Sequence, residues 1–160
     1  MSCAVIYTSK YGATREVAER IVAGLKSGQV DAEAVEAAPK RPLPDAETIV
    51  VGAPIYAGSA PGRMTNYLEA QREKLLAKRV FIFLSCLYEG SRAEQQLADA
   101  FPSWLVAHSS GNFYVGGKVD FSKLGFLDRL IMKKVAGVSE DVEKLKPEEI
   151  DRLVETVRRG

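Results

Sequence analysis

Apolar residues along this chain follow two rhythms. Short continuous runs occur at 4–7 (Ala-Val-Ile-Tyr), 48–53 (Thr-Ile-Val-Val-Gly-Ala) and 80–85 (Val-Phe-Ile-Phe-Leu-Ser). Runs so short, and apolar at nearly every position, read as strands covered on both faces. Between them apolar residues recur every three or four positions. Val17, Ala18, Ile21 and Leu25 form one such stripe, and Met64, Tyr67, Leu68 and Leu75 form another. A third pattern runs from Ser91 through Leu97 towards Phe101. These are helices with one buried face. Pro61 suits the first turn of the second helix, and Ser91 with Glu94 predicts a capping box on the third.

The connecting stretches are equally readable. Residues 30–35 alternate weakly, Val30, Ala32 and Ala34 against Asp31 and Glu33, as a strand with one wet face does. Pro39, Pro42 and Pro44 exclude regular structure from 39–44. Pro102 ends the third helix, after which Trp104, Leu105 and Val106 are expected to pack back onto the fold, with His108 in a polar loop facing solvent. Phe113, Val115 and Val119 lie around the pair Gly116 and Gly117, so 111–120 reads as a last strand interrupted at its glycines. In the tail, Leu124, Leu127, Leu130, Ile131 and Val135 share a stripe, with Arg129, Lys133 and Lys134 outside it. That pattern predicts a crossover helix covering one sheet face. Its alternative is a basic amphipathic surface resting on a membrane or a partner, with Phe121 and Phe126 beside it. A final helix starts at Pro147 and packs through Ile150, Leu153, Val154 and Val157.

Strands alternating with helices predict an α/β fold, a mostly parallel sheet with helices on both faces. Ligands of such sheets bind beyond the carboxyl ends of the strands. The loops expected there are 8–14, 54–60 and 86–91. At 160 residues, 46% hydrophobic and 27% charged, the chain is expected to form one soluble domain spanning 1–160. A net charge of +1 offers no field for nucleic acid. No apolar run is long enough to span a bilayer, and the first residues enter a strand pattern without a secretory leader. Cys3 and Cys86 form no CxxC and read as free, buried thiols. The expected compartment is the cytoplasm. No GxGxxG, GxxxxGK[ST] or Ser/His/Asp constellation occurs, which argues against NAD, nucleotide-phosphatase and hydrolase chemistry.

The stretch Thr8, Ser9, Lys10, Tyr11, Gly12, Ala13, Thr14 carries the candidate chemistry. A buried strand ends in hydroxyls and a glycine, and a helix starts at once. Backbone N–H groups, short hydroxyls and the positive end of the helix dipole converge there, as an anion site requires. The alternative is an ordinary strand–helix turn capped by Thr14.

Residues 5–14, two apolar residues, an aromatic, hydroxyls, a glycine and a threonine, resemble the FMN-phosphate fingerprint of the flavodoxin family. The resemblance implies a five-stranded parallel sheet of order 2-1-3-4-5 and a noncovalent FMN. It implies that Thr8, Ser9, Tyr11, Gly12, Ala13 and Thr14 wrap the phosphate, with Lys10 in the same loop turned to solvent. Pro54, Ile55 and Tyr56 would run along the ribityl chain, and the Ala57–Gly58 peptide would lie near flavin N5. Tyr88 would cover the ring. Backbone groups of Ser85, Cys86, Leu87 and Gly90 would meet its pyrimidine side.

Within the family, residues 12–18, 50–56 and above all 127–134 followed by Gly137 are similar to the flavodoxin-type, quinone-dependent protoporphyrinogen dehydrogenases. Those enzymes carry a longer basic insertion where this chain has 86–96, in which Arg92 is the single base. The resemblance implies an oxidoreductase with a redox partner protein or a small-molecule or quinone substrate, and the amphipathic pattern of 121–136 leaves peripheral membrane contact open. A one-electron carrier is the alternative, although carriers are generally strongly acidic. A flavodoxin-fold binding module without cofactor is the third reading.

Overall fold

The computed structural model describes residues 1–55, 60–137 and 140–160. Five strands pair in the order β2-β1-β3-β4-β5, every neighbour parallel: β1 Ser2–Tyr7, β2 Asp31–Glu36, β3 Thr48–Pro54, β4 Arg79–Ser85 and β5 Asn112–Tyr114. The expected α/β sheet of order 2-1-3-4-5, with helices on both faces, is the one observed.

Alternation along the buried strands divides their side chains between two cores. Ala4, Ile6, Ile49, Val51, Ile82 and Leu84 point to one face. There they meet α2 (Gly62–Ala70), α3 (Arg72–Leu76), α4 (Gly90–Ala100) and α5 (Ser103–His108). Val5, Tyr7, Val50, Phe81, Phe83 and Phe113 point to the other, against α1 (Ala13–Ser27) and the last helix, Pro147–Arg158. Val17, Ile21 and Leu25 of α1 are fully buried, each contributing about 1.5–3 kcal/mol of apolar transfer. The last helix is held at its far end by Arg79, whose guanidinium donates to the Thr156 and Val157 carbonyls, both at 3.1 Å. It therefore satisfies acceptors that a helix C-terminus leaves open.

Several local expectations change. The helix predicted from Pro61 is two pieces with a break at Gln71, though its four apolar residues are all buried. The Ser91/Glu94 capping box does not form: α4 begins at Gly90, one residue before the serine, and no side chain caps it. His108 ends α5, and its Nε2 lies 2.7 Å from the Lys78 carbonyl, so it is a half-buried structural contact. Cys3 and Cys86 are free and buried as expected. Burial pushes the Cys3 thiol up to about 12 and raises that of Cys86.

The largest departure follows β5. The expected single strand 111–120 is two strands in two different sheets. Chain direction changes at Gly116, whose φ is +76° and where a Cβ would fall 1.9 Å from the Lys144 carbonyl oxygen. A side chain is excluded on both counts. Beyond it β6 (Gly116–Val119) pairs antiparallel with β7 (Val142–Leu145), a strand that the sequence pattern did not predict. Between them lie a 3-10 turn (Phe121–Lys123), α6 (Phe126–Ile131) and a π turn (Met132–Ala136). The last helix, Pro147–Arg158, is α7. Residues 116–145 thus form a strap outside the main sheet. Contrary to the expected crossover helix, α6 covers neither sheet face: Phe126, Leu127 and Leu130 are 77%, 71% and 39% exposed. Leu124 and Met132 are the residues that turn inward, packing with Tyr11, Leu87, Val119, Phe121 and Val142.

Gly52 supplies a test of the core. Opposite Phe83 in the β3–β4 ladder, it leaves room for that ring, which a Cβ would approach to 1.9–2.5 Å. Gly52→Ala is expected to destabilise the protein by about 1–3 kcal/mol through overpacking, read as a lower urea midpoint at unchanged slope. Adding Phe83→Leu should recover part of the loss, a non-additivity that marks direct contact.

Candidate functional site

Because all five strands run the same way, their carboxyl ends gather at one edge, and the loops that leave them meet there. The first follows β1. Gly12, at φ +98°, turns the chain in the left-handed region and is the N-cap of α1. Its N–H donates to Ser9 Oγ at 3.1 Å, and its carbonyl accepts from Glu16 N–H at 2.9 Å. Thr14 is therefore no cap; it lies inside the first turn, 1% exposed. Its Oγ1, like that of Thr8, is buried without a hydrogen-bond partner. A buried hydroxyl left unpaired costs folding free energy, and its presence in a native structure calls for a reason. Such a hydroxyl at a helix N-terminus, where backbone N–H groups are also open, has the chemistry an anion needs, and that of Thr8 lies at the other end of the same loop.

Pro54 and Ile55, at the end of β3, and the third loop border the same cleft as this first loop. Ile55 N–H donates to the Ser85 carbonyl at 2.9 Å, continuing the β3–β4 ladder past the strand ends. Cys86 Sγ donates to the Tyr88 carbonyl at 3.6 Å, tightening the turn between them. The Tyr88 ring lies under the Arg92 guanidinium, 3.7 Å from its centre. One cleft is lined by Ser9, Lys10, Tyr11, Ala13 and Thr14, by Pro54 and Ile55, and by Ser85, Cys86, Leu87 and Tyr88. The raised thiol keeps Cys86 protonated and unreactive there.

Some predicted residues fall elsewhere. Thr8 and Gly12 shape the first loop without lining the cleft, and Gly90 borders a separate recess beside Glu89, Glu94 and Glu148. Tyr56, Ala57 and Gly58 lie outside the described residues. Lys10 is exposed as expected, but its Nζ is 3.0 Å from the Asp128 carboxylate.

The strap supplies the wall that sequence reasoning missed. Gly117, Lys118, Val119, Asp120, Leu124 and Met132 line the same cleft, as does Gln96 of α4. Ser85 Oγ donates to the Gly116 carbonyl at 3.1 Å, fixing the start of the strap to the end of β4. Across the mouth, Tyr11 donates its phenolic hydrogen to Asp128, which also holds Lys10. Asp128, with its side chain only 15% exposed, thus ties the strap to the first loop. Gln96 had a readable signal, a polar residue between the buried Ala93, Leu97 and Ala100. Among the described residues no group of His, Cys, Asp and Glu is placed to hold a metal ion, and no helix is long and apolar enough to cross a membrane.

No curated protein matches the chain. Among solved structures it is similar to oxidised flavodoxin 1 from Bacillus cereus, at 17% identity and a TM-score of 0.53, over 99% of this chain and 93% of that one. It is similar also to the two-electron reduced flavodoxin of Megasphaera elsdenii, at 18% identity and a TM-score of 0.57, over 99% of each chain. Against rubredoxin oxygen:oxidoreductase from Desulfovibrio gigas, at 14% identity and a TM-score of 0.52, 97% of this chain spans 36% of the longer protein. These likenesses show the fold. A family model described as flavodoxin domain matches residues 4–145, and the chain belongs to that family.

Proposed function

We propose that the chain is an FMN-binding redox protein whose cleft admits a small-molecule substrate beside the cofactor. FMN is the cofactor of the family. The observation that carries the reading is the buried, unpartnered hydroxyl of Thr14, which lines the cleft from the first turn of α1, with that of Thr8 likewise unpartnered at the start of the same loop. A phosphate accepts hydrogen bonds from such groups, so its arrival would relieve what folding leaves unpaid. Ser9 and the first backbone N–H groups of α1 would complete the cradle. The apolar walls at Ile55, Leu87 and Tyr88 suit a flat ring. Bound FMN would supply transfer of one or two electrons with the accompanying protons. The side chains' part is to bind and orient it, and the strap's is to exclude water.

The strap favours an enzyme over a carrier. A carrier needs its ring edge open to a partner protein, whereas here Asp128 draws α6 across the mouth. The near-neutral net charge of +1 also lacks the acidic field that steers a carrier to basic partners. The finer reading is a dehydrogenase of the protoporphyrinogen type with a quinone acceptor, supported by the resemblance at 127–134. Exposed Phe126, Leu127 and Leu130 beside Lys123, Arg129, Lys133 and Lys134 suit contact with an anionic lipid surface, where a lipophilic acceptor would be found.

Thr14→Val, which keeps shape and removes the hydroxyl, is expected to weaken FMN binding roughly tenfold in a fluorescence titration, while the apoprotein melts no lower than wild type. Anaerobic titration of the FMN-loaded protein with dithionite should pass from the oxidised to the two-electron-reduced spectrum with one set of isosbestic points. Reoxidation by a soluble quinone should follow. Accumulation of a one-electron-reduced spectrum, with no reaction with quinone, would return the carrier reading. Vesicles rich in phosphatidylserine should sediment the protein at low salt, and Phe126→Glu with Leu127→Glu should abolish this while leaving FMN binding intact.

A further inference from the structure

Among the described residues four buried side-chain oxygens lack a hydrogen-bond partner: those of Thr8, Thr14, Gln96 and Asn112. The threonines belong to the anion cradle. Asn112 opens the edge strand β5, in register with Ile82 midway along β4, and does not line the cleft. Gln96 is different, because it lines the cleft and comes from a helix rather than from any of its three loops.

Its setting gives the amide no structural purpose. The inward residues of α4 are Ala93, Leu97 and Ala100, all apolar. The neighbouring Gln95 turns its amide outward to Asp99, at 3.0 Å. A leucine at position 96 would join the buried face without stranding an oxygen. An acceptor retained where folding alone penalises it points to a donor that arrives with a ligand.

We propose that Gln96 is a positioning residue for the flavin ring, its amide oxygen accepting a hydrogen bond from the ring's N3–H. The proposal rests on the FMN reading above. With the phosphate in the cradle of loop 8–14, the ring is left with the far wall, where Cys86, Leu87, Tyr88 and Gln96 line the cleft. Oxidised isoalloxazine carries a single N–H, at N3; its N1, N5, O2 and O4 only accept. An acceptor on the ring's wall therefore selects the N3 edge and turns that edge towards α4.

The test is a two-by-two titration of oxidised FMN and 3-methyl-FMN against wild type and Gln96→Leu, followed by flavin fluorescence. Gln96→Leu is expected to bind FMN roughly five- to tenfold more weakly than wild type. Methylation at N3 should weaken binding to wild type by a similar factor and cost the leucine variant little more. The leucine apoprotein should melt at or above the wild-type temperature, opposite in sign to its effect on FMN, which a merely structural role would not produce. Gln96→Glu keeps an acceptor, and should keep the preference for FMN over 3-methyl-FMN. The proposal is overturned if Gln96→Leu binds FMN as tightly as wild type. It is overturned equally if the loss is the same for both flavins, which would move the contact to a ribityl hydroxyl, or if Gln96→Glu shows no preference between them. Failure of wild type itself to bind FMN would overturn the cofactor reading, and this inference with it.

Discussion

Parallel pairing is the constraint on which this molecule depends. Strands that all run one way must be joined by crossovers, and here all but the one from β2 to β3 carry helices, which bury both faces of the sheet. The same geometry puts every carboxyl-terminal strand end at one edge. Loop 8–12, the chain after Pro54 and the turn at Cys86 therefore meet, although they are far apart in sequence. The site is a by-product of how the sheet is built, and its precision comes from ladders that continue beyond the strands, as in the Ile55-to-Ser85 bond.

Stability and function pull apart at that edge. Elsewhere, the Asn112 oxygen aside, the polar contacts named above are paired: Arg79 caps α7, and His108 holds the Lys78 carbonyl. At the edge, the hydroxyls of Thr8 and Thr14 and the amide oxygen of Gln96 are buried without a hydrogen-bond partner. A ligand rich in phosphate oxygens and bearing one ring N–H has the complementary groups. Local cost in the free protein becomes differential affinity for the bound state.

The strap changes what the scaffold can do. It leaves the sheet at Gly116, returns through β7 and is anchored at both sides of the cleft, by Ser85 to Gly116 and by Asp128 to Tyr11 and Lys10. Its inner residues Leu124 and Met132 close the cleft, while its outer residues Phe126 and Leu127 remain uncovered. One short segment, residues 124–132, thus presents Leu124 and Met132 to the cleft and Phe126 and Leu127 to the surroundings.

The sequence by itself determined the sheet, because strands buried on both faces leave continuous apolar runs and helices docked on them leave stripes of period 3.6. It also marked loop 8–14 as the candidate anion site, since hydroxyls, glycine and helix start are neighbours in the chain. What it left undetermined is whatever depends on distant groups meeting. The stripe through Leu127 and Leu130 looked like a sheet-covering helix, yet in the tertiary structure Leu124 and Met132 turn inward to pack with Tyr11, and Asp128 is held by Tyr11 and Lys10 of the first loop. β7 is short and polar, with Glu143 and Lys144 exposed, and exists only because β6 lies alongside to pair with it. Ser91 and Glu94 have the spacing of a cap, but the chain enters α4 one residue earlier, at Gly90. Gln96 shows in the sequence only as a polar position among apolar ones, and the fold is what shows that it lines a cleft with its oxygen buried. Periodicity records which face is buried, and only the tertiary structure decides against what.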